Sequence, residues 1–194
     1  MNGNSSTAEQ NVVIKDQTNP TITAPAAKTV FADAGNCTAS NVSLGTPTTG
    51  DNCSVASVTN NAPATFPLGN TTVTWKVTDG SGNTATATQV ITVEDKQNPT
   101  ITAPAAKTVS ADAGSCTASN VSLGTPTTGD NCSVASVTNN APATFPLGNT
   151  TVTWKVTDGS GNTATATQVI TVEDKQNPTI TAPAAKTVSA DAGS

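Results

Sequence analysis

Four cysteines, a recurring acidic linker and the absence of histidine and tyrosine define the chemistry open to this 194-residue chain. Cys37 and Cys53 stand in one copy of a repeated sequence, and Cys116 and Cys132 recur at the same spacing in the next. An even count with no CxxC pair and no histidine points to disulfides rather than a metal–thiolate or redox site. Disulfides in turn place the chain in an oxidising compartment, extracellular or on a cell surface. Nucleophilic triads and the usual acid–base partners are missing, and no free thiol is expected, so the chain does not read as an enzyme. The remaining concentration of polar chemistry is Glu94-Asp95-Lys96-Gln97-Asn98-Pro99, which recurs as Glu173-Asp174-Lys175-Gln176-Asn177-Pro178.

That recurrence belongs to a larger one. Pro20 to Asn98 reappears directly afterwards as Pro99 to Asn177, altered only at Phe31 (Ser110) and Asn36 (Ser115). The chain therefore divides into residues 1–19, the last strand of a preceding repeat plus its linker; repeat 1, 20–98; repeat 2, 99–177; and 178–194, the start of a third repeat. Near-identical copies suit a stalk or a multivalent surface protein better than a catalytic pocket.

Each repeat must supply elements that position these groups. Val73, Trp75 and Val77 alternate with Thr72, Thr74, Lys76 and Thr78, the period of a half-buried strand. Asp79-Gly80-Ser81-Gly82-Asn83 reads as a tight turn into a partner strand from Thr84 to Val93. Shorter strands are expected near residues 21–24, 28–31, 38–44, 55–59 and 64–66. This is an all-β chain of tandem β-sandwich modules. The expected core includes Ile22, Val30, Val42, Leu44, Val55, Val58, Phe66, Leu68, Val73, Trp75, Val77, Ile91 and Val93, with Trp75 as a core plug.

Composition narrows the function classes. Charged residues make up 11% of the chain and the net charge is −5, so no basic patch exists for nucleic acid. No apolar run approaches a membrane span. The opening MNGNSSTAEQ lacks a signal-peptide pattern, so an export signal is expected outside this segment.

Five ordered blocks carry a resemblance: Pro20-Thr21-Ile22-Thr23, Ala32 to Cys37, Gly50-Asp51-Asn52-Cys53-Ser54, Phe66 to Trp75, and Thr78 to Thr84. Together they resemble the hyalin repeat, or HYR, domain, over essentially the whole chain. The resemblance implies immunoglobulin-like sandwiches on extracellular proteins concerned with adhesion. The family often has two further cysteines, at positions held here by Ala24 and Ala87; their joint absence leaves Cys37–Cys53 and Cys116–Cys132 as the expected bridges. Closing a loop of that length would stabilise a module by about 3 kcal/mol.

The linker further resembles the acidic junctions through which cadherin-type modules hold calcium, an ion that takes six to eight oxygen ligands. The expected inter-repeat calcium site combines Glu94, Asp95 and Asn98 with Asp33 or Asp51 and with Asp158. Asp33 and Asp51 enter because a Cys37–Cys53 bridge would set them at one end of the module. The alternative is that these acids only cap turns on a Thr-rich surface. The sequence thus reads as an extracellular structural or adhesive array, a stalk, spacer or filament whose partners are neighbouring repeats or copies of itself. The rival reading is an adhesin that binds a surface glycan or protein through its loops. Pro99 and Pro178 are expected to stiffen linkers between modules that follow one axis.

Overall fold

The computed structural model describes residues 2–189. Two compact units divide it. The first takes in residues up to Pro99 together with Gly129–Ala135 and Thr157–Thr163. The second takes in Thr100–Thr128, Ser136–Val156 and the residues from Ala164 onward.

Every regular element among the described residues is a strand. Repeat 1 runs β1 (Thr21–Thr23), β2 (Lys28–Phe31), β3 (Thr38–Ser40), β4 (Thr48–Gly50), β5 (Val55–Asn60), β6 (Thr65–Pro67), β7 (Gly69–Asp79) and β8 (Thr84–Glu94). Repeat 2 runs β9 (Thr100–Thr102), β10 (Lys107–Ser110), β11 (Thr117–Ser119), β12 (Thr127–Gly129), β13 (Val134–Asn139), β14 (Thr144–Pro146), β15 (Gly148–Asp158) and β16 (Thr163–Glu173). In repeat 1 the main sheet has the order β2-β8-β7-β5, and β1-β4 and β3-β6 form two short antiparallel pairs. Repeat 2 has the same sheets.

The β7–β8 hairpin forms where the alternating pattern and turn residues place it, pairing Thr78 with Thr84 and Gly69 with Val93. Gly82 turns the chain with φ +91°, a conformation that a Cβ would strain. Val73, Trp75 and Val77 point inward from β7, and Ile91 and Val93 from β8. Part of this face meets Ala39 of β3 and Phe66 of β6 in a two-layer core. Burial of these side chains, at about 25 cal/mol per Å² of apolar surface, is the main term holding each sandwich together.

One core residue departs from the apolar pattern. Gln89 shares the inward parity of Ile91 and Val93 and is 2% exposed. It survives burial because each polar atom is paired: Oε1 accepts from Trp75 Nε1 (3.2 Å), and Nε2 donates to the carbonyls of Ala26 (2.9 Å) and Leu44 (3.0 Å). Trp75 is thus a core plug held by a hydrogen bond.

Several expected elements are corrected. Val55 and Val58 are 37–39% exposed rather than core, because β5 is an edge strand whose residues are all exposed, and Leu68, between β6 and β7, is 39% exposed rather than core. The strand expected to reach Leu44 ends at Ser40, where Asn41 takes φ +52°. β2 joins the sheet edge parallel to β8, a pairing that no local signal announces. Val12, Val13 and Ile14 form no strand and are 78–94% exposed, since the β2 and β7 equivalents that would flank them have no counterpart among the described residues. Of the third repeat's start, residues 190–194 lie outside the described residues.

Candidate metal centre

Acidic side chains become buried here because they continue an apolar strand face. Asp79 follows Val73, Trp75 and Val77 at the same parity and is 3% exposed; Asp95 follows Ile91 and Val93 and is 4% exposed. The period repeats the first case at Asp158, which is 2% exposed.

Two carboxylate triads result, both within the first compact unit. Asp16, Asp51 and Asp79 form one, and Asp95, Asp130 and Asp158 the other; in each, one ligand oxygen per residue lies within 4.8 Å of the others. Asp158 organises its own turn: Oδ1 accepts from the backbone of Ser160 (2.9 Å) and Asn162 (2.8 Å), and Oδ2 accepts from Asn162 Nδ2 (2.7 Å). Burial pushes its carboxyl up, but those bonds, with that from Gly161, outweigh it and hold the group below the ordinary carboxylate value. Asp79 is held down in the same way by Asn83, Ser81 and Gly82. Asn162 also donates through Nδ2 to the Asp95 carbonyl (3.2 Å), as Asn83 does to the Asp16 carbonyl (3.2 Å).

The other acids each keep one oxygen back. Asp130 Oδ2 caps the backbone of Cys132 and Ser133, and Asp95 Oδ1 accepts from Gln97 N (3.0 Å) and Asn131 Nδ2 (3.3 Å). Asp95 Oδ2, Asp130 Oδ1 and Asn131 Oδ1 are buried with no hydrogen-bond partner, and so are Asp16 Oδ2 and Asp51 Oδ1. Desolvated, unpaired and mutually repelling oxygens are costly unless a cation compensates them. The donors are all oxygen, the class hard Ca²⁺ takes, so the residues fit that ion.

The expected ligand set is therefore re-sorted. Asp95 and Asp158 do come together, but the third acid is Asp130, which sequence reasoning missed. Asp51 belongs to the other triad, with Asp16 and Asp79. The repeat itself carried the missing signal, since Asp130 and Asp158 stand one period after Asp51 and Asp79. Asp33 joins neither triad; it caps its own loop through Ser40 N (2.9 Å). Glu94 faces Lys96 in a half-exposed ion pair (3.1 Å), and Asn98 is exposed.

The disulfide differs most from expectation. Cys37 is bonded to Cys132, 95 residues away with Cα atoms 4.8 Å apart, and Cys53 and Cys116 are exposed free thiols. A Cys37–Cys53 bridge is ruled out by the hairpin. The loop that carries Cys37 is tied to the exit of β8, through Ala32 N to Glu94 O (2.9 Å) and Gln97 Nε2 to Asp33 O (3.0 Å). The Cys53 loop is tied to the opposite end, through Gly80 N to Ser54 O (3.1 Å). Eleven-residue strands separate these ends by about 30 Å, far beyond the ~7 Å a disulfide can span. The same separation keeps Asp33 from Asp51. Asn131 Nδ2 donates to the Asn36 carbonyl (2.9 Å) beside the bridge that does form.

The HYR domain family profile matches residues 15–93 and 94–172. The chain belongs to the HYR domain family. Among curated relatives, this HYR chain is 34% identical to hyalin of Strongylocentrotus purpuratus over 93% of its length and 35% identical to hyalin of Lytechinus variegatus over 88%. It spans 16% and 34% of those proteins. Solved structures similar to it include Drosophila N-cadherin EC1-4 (TM-score 0.44, 9% identity, 81% of this chain and 50% of that one). Human mucin-like protocadherin EC1-2 is another (TM-score 0.43, 14% identity, 80% of this chain and 98% of that one). No helix among the described HYR residues is long and apolar enough to cross a membrane.

Proposed function

We propose that this chain is a segment of an extracellular structural or adhesive array of HYR repeats, whose linkers are set by calcium. The observation that carries the reading is the pair of triads, built from the same residues one period apart, each with buried oxygens that no protein group satisfies. Asp95, Asp130 and Asp158, with Asn131 Oδ1, would hold one ion, and Asp16, Asp51 and Asp79 the other. When bound, the cation supplies charge compensation. The chain's own part is to keep the oxygens converged: Asn162 and Asn83 fix the linker backbone, and the Asp158 and Asp79 turns fix the loops. Near-identical copies, a disulfide and relatives named hyalin support the extracellular, multivalent setting.

Calorimetric titration of Ca²⁺ tests this. Two ions per chain are expected, with dissociation constants of about 0.1–1 mM, the range of extracellular modules. At 1 mM Ca²⁺ and a constant near 0.1 mM, each ion would stabilise the folded form by about 1.4 kcal/mol. Asp158→Asn should remove one ion, Asp79→Asn the other, and Asp33→Asn neither. No uptake at millimolar calcium would overturn the reading.

A further inference from the structure

Each repeat carries one cysteine at each end of its hairpin, and the two ends are built differently. Cys37 and its period equivalent Cys116 belong to loops fastened to the departing linker. Gln97 bonds Asp33 O (3.0 Å) and Gly35 N (2.8 Å), and Gln176 bonds Asp112 O (2.8 Å) and Gly114 N (2.7 Å) in the same manner. Cys53 and its equivalent Cys132 belong to loops that receive the arriving linker, where Asn83 holds the Asp16 carbonyl and Asn162 holds the Asp95 carbonyl. A departing-end cysteine meets an arriving-end cysteine once, in Cys37–Cys132. The two left over, Cys53 and Cys116, are one of each kind, and both are exposed thiols.

The arriving end at Cys53 is already set for its partner. Asp16 stands where Asp95 stands beside Cys132, and Asp16 Oδ2 and Asp51 Oδ1 are buried there without partners, as Asp95 Oδ2 and Asp130 Oδ1 are beside the formed bridge. What is missing at Cys53 is the loop that Asn36 and Cys37 supply to Asn131 and Cys132.

We propose that Cys53 and Cys116 are the two open halves of this bridge, and that each takes the complementary cysteine of an adjoining HYR repeat. Cys53 takes a departing-end thiol and Cys116 an arriving-end thiol, so that successive repeats are joined by one disulfide per linker and none within a repeat. The inference rests on the array reading only in requiring adjoining repeats. The bond forms by exchange with a small-molecule disulfide such as oxidised glutathione. One thiolate attacks it and releases a thiolate, the partner thiolate attacks the mixed disulfide and releases the second, and the protons of the two cysteines pass to the leaving thiolates. The protein loses two electrons and the glutathione disulfide gains two.

Two sources could supply the partner, and two arms separate them. For a second copy, Cys53→Ser and Cys116→Ser chains are incubated with oxidised glutathione, singly and mixed. Docking of unlike ends raises the local thiol concentration, so the mixture should give about tenfold or more cross-linked dimer than either variant alone. Peptide mapping should then find Cys116 of one copy bonded to Cys53 of the other. For a repeat on the same chain, the protein is lengthened by inserting a second copy of residues 99–177 after Asn177, and differential alkylation is read without reduction. Cys37–Cys132 should persist, Cys116 should bond the added counterpart of Cys132 without a ladder of copies, and Cys53 and the added counterpart of Cys116 should remain thiols. Heterotypic bridging in either arm supports the proposal. It is overturned if the added repeat pairs its own two cysteines. Like-with-like dimers as abundant as the mixed one, or glutathione adducts alone in both arms, overturn it too. Calcium uptake by these same proteins is read separately, so loss of the array reading and loss of the bridge pattern are distinguishable.

Discussion

The triad of Asp16, Asp51 and Asp79 and the triad of Asp95, Asp130 and Asp158 are the same residues one period apart, yet only the second sits beside a formed disulfide. Asp51 and Asp130 alike cap the backbone amides two and three residues on, and Asp79 and Asp158 build identical turns. The difference is the supply of a cysteine at the facing loop: Cys132 has Cys37, whereas Cys53 is a free thiol, which Asp16, placed beside it as Asp95 is beside Cys132, pushes up by hydrogen bonding and charge. The lesson is that a repeat of this kind is not chemically complete. Its acids and its arriving-end cysteine are completed by the residues that lead into it.

Removing the bridge should produce the largest effect. Cys37→Ser opens a covalent loop of about 95 residues, which in the chain-entropy model is worth up to about 4.7 kcal/mol. Cys53→Ser, which breaks no covalent bond, should change the unfolding free energy from denaturant melts by less than about 0.5 kcal/mol. Equal effects from the two would erase the distinction between the ends.

Next comes the buried amide. Gln89→Leu orphans Trp75 Nε1 and the carbonyls of Ala26 and Leu44, at about 1–3 kcal/mol per buried unsatisfied group, so a loss of about 3 kcal/mol is expected. Gln168→Leu should cost the same, because Trp154, Ala105 and Leu123 repeat the arrangement. A large asymmetry in urea melts would show that the two sandwiches are not energetically equivalent.

Acid should weaken both turns together. Asp79 and Asp158 have folded pKa values depressed below the ordinary 3.8. As pH falls below that value the unfolded chain binds protons before the folded one, so stability is lost there and is complete above it. Thermal melts between pH 6 and 2 should therefore be flat above about pH 4 and fall below it, and the fall should be reduced to equal extents in Asp79→Asn and Asp158→Asn chains. The smallest effect belongs to Glu94: exposed pairs such as Glu94–Lys96 are worth under about 0.5 kcal/mol, and Glu94→Gln should leave calcium uptake unchanged.

Much of the fold was legible. The alternation of Val73, Trp75 and Val77 with threonines, and the Asp79–Asn83 turn, defined the hairpin that dominates the main sheet. Short edge elements were less so: β5 and Val55 look apolar in sequence, but an edge strand leaves them half out of the core, and the parallel pairing of β2 with β8 depends on tertiary placement. In the site, Asp95 and Asp158 were readable from the linker and the turn, and Asp130 was available through the period. For the cysteines, closeness along the chain misleads as a guide to proximity, because the short stretch from Cys37 to Cys53 leads from one end of a long hairpin to the other. Once the pairing is wrong, Asp33 is drawn to the wrong end with it.

The most direct test of the claim that each repeat is completed by the residues leading into it is a disulfide map of the purified chain. Free thiols are alkylated under denaturing, non-reducing conditions, and the digested peptides are identified by mass spectrometry. The expected result is a single bridge, Cys37–Cys132, with alkyl groups on Cys53 and Cys116. Two bridges, Cys37–Cys53 and Cys116–Cys132, would contradict it.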